Sequence, residues 1–216
     1  MLLCLWSVSF SVYAQSDKTQ RQRQFESEIK TFEASDKKAS HCKNPVLFVG
    51  SSSIRMWENL VEDFPKTNVI NRGFGGSHIE DSIDFAERIV IPYKPRLILI
   101  YAGDNDIESG KSPVVVLEDF KKFVTKVRQN LPNIRIAFIS IKPSIARWRL
   151  VDEVRKANQL IKDFIKTDRK LDYIDVFNPM LGKDGNPRTE LYIEDNLHMS
   201  KEGYKLWRSL IAPYLK

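Results

Sequence analysis

Five short apolar runs, separated by segments of helical periodicity, constrain this chain more than any other feature. The runs are Val46 to Val49, Asn68 to Ile70, Leu97 to Tyr101, Ile134 to Ile141 and Tyr173 to Phe177. Val46 to Val49 is continuously apolar rather than alternating, as a strand buried on both faces should be, and Leu97 to Tyr101 is the most apolar of the five. The helical segments are Ile79 to Ile89, Pro113 to Asn130, Ile145 to Lys166 and Ser200 to Tyr214. Pro113 suits a first helical turn, and Ser200 suits an N-cap. Val151, Val154, Leu160, Ile161, Phe164 and Ile165 form an apolar stripe on the third helix. Alternation of this kind predicts a three-layer α/β/α sandwich around a five-stranded parallel sheet with right-handed crossovers. In such sheets ligands bind at the carboxyl ends of the strands, so functional residues are expected just after strands.

At 216 residues, with 42% hydrophobic and 29% charged, the chain suits one core and leaves little room for a second. The net charge of +6 suits anionic surfaces. No Lys/Arg run exceeds two residues and no nucleic-acid motif is present, so no nucleic-acid partner is expected. Residues 1–14 read as an export signal peptide. Leu2 to Tyr13 are mostly apolar, and Val12-Tyr13-Ala14 places small residues at −3 and −1 before Gln15. No basic residue precedes the run, and it is too short for stable membrane insertion. A periplasmic or secreted location follows. Cleavage would remove Cys4 and leave Cys42 without a partner for an internal disulfide. Residues 15–44 form an N-terminal helical segment, with Phe25, Ile29 and Phe32 at helical spacing between Asp17 and Ser40. Residues 45–216 form the domain.

Four polar or glycine-rich segments follow strands one, two, three and five. Gly50-Ser51-Ser52-Ser53 offers a hydroxyl at a strand-to-helix turn, but serine is a weak nucleophile without a base. Asn71-Arg72-Gly73-Phe74-Gly75-Gly76-Ser77 permits close backbone approach, and its N–H groups could bind an oxyanion or another anion. It lacks the Walker A and Rossmann spacings. Gly103-Asp104-Asn105-Asp106 offers an amide donor for developing negative charge, and its two carboxylates make a poor calcium loop. In Asp195-Asn196-Leu197-His198 a carboxylate can face an imidazole within one turn and fix its tautomer. Singly, these segments also serve as an N-cap, a tight turn or an Asx turn. Of the other histidines, His41 lies in the polar N-terminal segment and His78 opens a helix beside the glycines. The long Pro/Gly-containing stretch from Asn178 to Tyr192 is expected to be a loop bordering the site.

Taken together and in this order, the four segments resemble the blocks of the SGNH (GDSL-like) hydrolases. The branch most similar includes the platelet-activating-factor acetylhydrolase catalytic subunits and many bacterial secreted esterases. The resemblance runs from Val46 to the C-terminus and implies a flavodoxin-like SGNH fold. It implies Ser52 as nucleophile, His198 as general base and Asp195 as the acid that orients it. It also implies the Ser52 N–H, the Gly76 N–H and the Asn105 side chain as oxyanion donors. Ser51 stands where the family usually has Asp. Ser51 and Ser53 remain neighbours of the nucleophile position, as Gly75 does of Gly76. The Gly-x-Ser-x-Gly elbow of ordinary α/β-hydrolases is absent.

The implied chemistry is hydrolysis of carboxylic esters through an acyl-serine, with no metal and no organic cofactor. The expected substrate is a small-molecule or glycan ester carrying a short acyl or O-acetyl group. The alternatives are a lysophospholipase or thioesterase on longer acyl chains, a non-catalytic glycan-binding module, and a flavodoxin-like nucleotide or flavin binder.

Overall fold

The computed structural model describes residues 5–37 and 43–215, with side chains from residue 20 onward. His41, Cys4 and Cys42 lie outside the described residues. The chain divides into two units, residues 1–40 and 41–216.

The first unit is one helix, α1 (Leu5–Asp36). It begins earlier than the helix expected from Asp17. Its surface carries a Glu26–Lys30 pair at 3.7 Å and Arg21 over the Phe25 ring at 5.8 Å. Among the described residues, no helix is long and apolar enough to cross a membrane.

The second unit is built on five parallel strands, β1 (Val46–Gly50), β2 (Val69–Gly73), β3 (Leu97–Tyr101), β4 (Arg135–Ile139) and β5 (Leu171–Ile174), in the spatial order β2-β1-β3-β4-β5. Helices cover both faces, as the alternation predicts. They are α2 (Ser52–Arg55), α3 (Leu60–Asp63), α4 (Ile79–Asp84), α5 (Ala86–Ile89), α6 (Asp104–Glu108), α7 (Pro113–Asn130), α8 (Val151–Ile165) and α9 (Lys201–Ile211).

Side chains alternate across a strand, so each strand feeds two cores. On one face Phe48, Leu99, Tyr101 and Ile139 pack with Trp57, Phe64 and Trp207. The Trp207 ring lies 5.0 Å from Tyr101 and 6.1 Å from Trp57, both edge-on. On the opposite face Phe138 meets Phe120 of α7 at 4.9 Å. Such pairs add about 0.5–1.5 kcal/mol beyond the area they bury.

Several boundaries differ from the sequence reading: β2 continues to Gly73 rather than ending at Ile70, β4 runs Arg135–Ile139 rather than Ile134 to Ile141, and α9 ends at Ile211 rather than Tyr214. The fifth strand lies earlier than Tyr173 to Phe177. The Ser140 hydroxyl accepts the Val176 and Phe177 N–H groups at 2.9 and 3.1 Å, which takes those groups out of the strand ladder. The helix expected over Ile79 to Ile89 breaks at Phe85, which ends α4, opens α5 and packs edge-on against Phe74 at 6.0 Å. The helix expected from Ile145 begins only at Val151, after a short 3-10 turn over Trp148–Leu150.

β1, β2 and β3 finish level with one another. Gly50 pairs with Gly73 on one side and Tyr101 on the other. Gly50 has φ +128°, and a Cβ there would sit 1.9 Å from the Tyr101 carbonyl oxygen. Only glycine lets β1 end this close to β3. Gly50→Ala is therefore expected to lower stability by at least about 3 kcal/mol, combining backbone strain with a backbone clash. Gly110→Ala, where φ is +91° and nothing lies within 4 Å, should cost only about 1–2 kcal/mol. Urea melts of the two variants check this, and equal losses would contradict the close-approach argument.

Candidate active site

The first segment turns straight out of β1 into α2. Ser51 donates its N–H to the Tyr101 carbonyl at 2.9 Å and occupies the N-cap position of α2. Ser51 and Ser53 are buried at 2% exposure each, whereas Ser52 stands half-buried at the rim. That difference separates Ser52 from its neighbours. Its N–H also belongs to the first helical turn, whose donors have no intrahelical partner.

The second segment is clamped to the first. The Asn71 side chain donates to the Ile54 carbonyl at 2.7 Å and accepts the Gly73 N–H at 2.9 Å. Gly75 and Gly76 play different parts. A Cβ on Gly75 would meet the Arg55 guanidinium at 2.9 Å. Gly76 has φ +76°, lies exposed and has nothing within 4 Å of such a Cβ.

The third segment is α6, whose three consecutive polar side chains go to different places. Asp104 receives Lys142 at 3.2 Å and Arg147 at 2.6 Å. Burial pushes its carboxyl up, but Lys142 and Arg147 outweigh burial and leave it below the ordinary value. Asp106 is fully buried, accepts the Ile79 N–H and pairs with Lys111 at 3.2 Å. There burial prevails over the nearby charges and its carboxyl is raised. Asn105, between them, donates its amide N–H to the Ser77 carbonyl at 3.1 Å. Its carbonyl oxygen accepts both Nη1 and Nη2 of Arg147 at 3.1 Å.

The fourth segment is a tight antiparallel turn. Tyr192 bridges to Met199, the Ile193 N–H donates to the His198 carbonyl at 3.0 Å, and Asn196 takes φ +57° at the tip. Asp195 Oδ1 accepts the Leu197 and His198 N–H groups at 2.9 and 2.8 Å. Its other oxygen meets His198 Nδ1 at 2.5 Å. Partial burial pushes the Asp195 carboxyl up, but the His198 ring and these two N–H groups prevail and hold it at about 2. His198 Nε2 lies 2.9 Å from Ser52 Oγ. Ser52, His198 and Asp195 thus form one unbroken hydrogen-bonded chain.

His78 takes no part in that chain. Asp81 accepts its N–H at 2.7 Å, and its ring faces Glu80 at 3.8 Å. Among the described residues, no group of three or more His, Cys, Asp or Glu side chains is placed to hold a metal ion.

One site residue was not singled out by sequence reasoning. Arg147 falls within the stretch read as helix, yet it reaches the Asn105 amide from the loop after β4. No local sequence signal marks it, because the stretch from Ile145 onward has helical composition.

A model of the GDSL-like lipase/acylhydrolase family matches residues 47–206. No curated protein matches the chain. The same fold occurs in a Streptococcus pneumonia protein described with the words "platelet activating factor", at 20% identity, 95% of this chain, 99% of that one and a TM-score of 0.79. It occurs in a GDSL-like lipase from Bacteroides thetaiotaomicron at 20% identity, 87% of this chain, 96% of that one and a TM-score of 0.73. At lower similarity it occurs in a carbohydrate esterase family 3 protein from Talaromyces cellulolyticus, at 15% identity, 80% of this chain, 96% of that one and a TM-score of 0.59. With the family model spanning most of the domain and four rim segments in its block order, the chain belongs to the GDSL-like lipase/acylhydrolase family and is a hydrolase of ester bonds.

Proposed function

We propose that this protein is a serine esterase that removes short acyl or O-acetyl groups, including those on glycans, through an acyl-serine intermediate. The observation that carries the reading is the chain from Ser52 Oγ through His198 to Asp195, at 2.9 and 2.5 Å. His198 Nε2 takes the Ser52 proton as Oγ attacks the ester carbonyl carbon. The carbonyl π pair moves onto oxygen, and the tetrahedral oxyanion is met by the Ser52 N–H, the Gly76 N–H and the Asn105 amide. As the oxyanion collapses, the C–O bond to the alcohol breaks and His198 gives that oxygen its proton. Water, deprotonated by His198, then attacks the acyl-serine; as the second oxyanion collapses the acyl C–Oγ bond breaks, His198 returns the proton to Ser52 Oγ, and the acid leaves. Asp195 stays ionised throughout, fixing the ring tautomer and stabilising the imidazolium.

Three features support the choice of substrate. The +6 charge suits acidic glycans, the apolar N-terminal run suits export, and the Talaromyces cellulolyticus relative is named a carbohydrate esterase.

A fluorophosphonate probe should label Ser52 in the wild-type protein, and neither Ser52→Ala nor His198→Ala should be labelled. Absence of a wild-type adduct would favour a glycan-binding module without catalysis. Asn105→Ala should lower kcat by about 100- to 1000-fold, and a loss under tenfold would remove Asn105 from the oxyanion hole. In a nitrophenyl ester series acetate and butyrate should be preferred, and preference for C8 or longer would favour the lysophospholipase or thioesterase reading. The pH dependence follows from Asp195, which is held at about 2. A depressed carboxyl contributes stability above its unfolded value near 3.8 and loses it as pH falls toward 2. The acid limb of kcat/KM should therefore show a single-proton slope with no second break down to about pH 4. A two-proton slope in that range would place Asp195 much higher.

A further inference from the structure

The stretch after β4 is the fourth loop at the carboxyl rim, and it touches both halves of the site. Just beyond β4, the N–H and carbonyl of Ile141 are both held by the Asn158 side chain at 2.8 Å. Pro143 offers its carbonyl to the Tyr192 hydroxyl at 2.7 Å, at the base of the turn that carries Asp195 and His198. Ala146 donates its N–H to the Asn196 carbonyl at the tip of that turn, at 3.1 Å. The next residue, Arg147, points the other way. Its Nη1 lies 2.6 Å from Asp104 Oδ1, and Nη1 and Nη2 both lie 3.1 Å from Asn105 Oδ1. Lys142 holds the second oxygen of Asp104 at 3.2 Å.

We propose that Arg147 is a positioning residue for ester hydrolysis, acting through Asn105. The proposal rests on the reading above, in which the Asn105 amide donates to the oxyanion. An asparagine side chain can be turned end for end, exchanging its NH2 and carbonyl. Arg147 permits only one arrangement. A flipped amide would set NH2 against a guanidinium that carries donors alone, and would set Oδ1 against the Ser77 carbonyl. In the observed arrangement Ser77 takes one amide hydrogen at 3.1 Å, and the second is available to a substrate oxygen. The cation also strengthens that donor. Charge held at Oδ1 draws the nitrogen lone pair toward the carbonyl and makes the amide hydrogens more acidic. Asp104 fixes the guanidinium in place. Glu108 lies 3.7 Å from Arg147 Nε, so carboxylates hold the guanidinium on two sides while its Nη1 and Nη2 face Asn105. The backbone tie from Ala146 to Asn196 keeps this donor in register with the His198 turn.

The alternative is that Arg147 serves only as an ion-pair partner of Asp104, and a double-mutant cycle with nitrophenyl acetate separates the two. Arg147→Met should lower kcat roughly 10- to 100-fold with KM within about threefold. On an Asn105→Ala background the same substitution should change kcat by less than about threefold, because the group it acts through is gone. Equal losses on both backgrounds, or a wild-type-like Arg147→Met, would overturn the proposal. Arg147→Lys keeps a cation for Asp104 but cannot fork onto Asn105. It should melt like the wild type yet lose at least about fivefold in kcat, and unchanged kcat would overturn the proposal even if Arg147→Met does not fold. A readout independent of turnover is the Asn105 side-chain NH2 signal in a ¹⁵N spectrum, identified by its loss in Asn105→Ala. It should move in Arg147→Lys, and a signal superimposable on the wild type would overturn the proposal. If the wild-type protein cleaves no ester, the proposed function fails, while this signal still decides whether Arg147 holds the Asn105 amide.

Discussion

The level ending of three adjacent parallel strands is the constraint on which the rest depends. Gly50, Gly73 and Tyr101 occupy one row of the sheet, so the chains leaving them emerge side by side. The close approach of Gly50 to the Tyr101 carbonyl lets the Ser51 N–H take that oxygen, and α2 starts at once. The nucleophile candidate is then fixed by backbone groups on both sides rather than by a long loop. A sheet ending in ragged register would scatter the same residues along its edge.

The polar residues at this rim are organised by opposed pulls. Asp104 is drawn toward Lys142 and Arg147, while Asp106 is drawn toward Lys111 and the first turn of α4. Buried charges of this kind contribute little net stability, because desolvation consumes most of the attraction. They do fix direction. With α6 pinned on both flanks, Asn105 has one place to point. The two carboxylates that could pass for metal ligands in the sequence are here the guy-ropes of an amide.

The strands were legible because a parallel sheet buried on both faces needs continuous apolar runs, and Leu97–Tyr101 is found as read. So was α7, whose start is marked in the sequence by Pro113; in the structure Ser112 caps it. The boundaries that differed depend on partners far along the chain. The end of β5 is set by the Ser140 hydroxyl, and nothing local to Val176 announces it. Likewise Ile145 to Leu150 has helical composition, but its polar groups are claimed by Asn196 and Asn105. The candidate site was legible as four short segments in order. Arg147 was not, because a single arginine inside an amphipathic pattern carries no local sign of a distant amide.

The two links of the Ser52–His198–Asp195 chain differ greatly in the sequence distance they span. Asp195 and His198 are three residues apart, whereas Ser52 and His198 are 146 apart. The Asp195–His198 pair is a product of local sequence proximity and needs only a single turn of chain to form. The bond to serine closes a loop through nearly the whole domain, and it bears the corresponding entropic cost. The imidazole–carboxylate pair thus asks far less of the chain than the contact that brings it to Ser52. Contact between the Ser52 hydroxyl and the His198 ring is therefore a property of the completed topology.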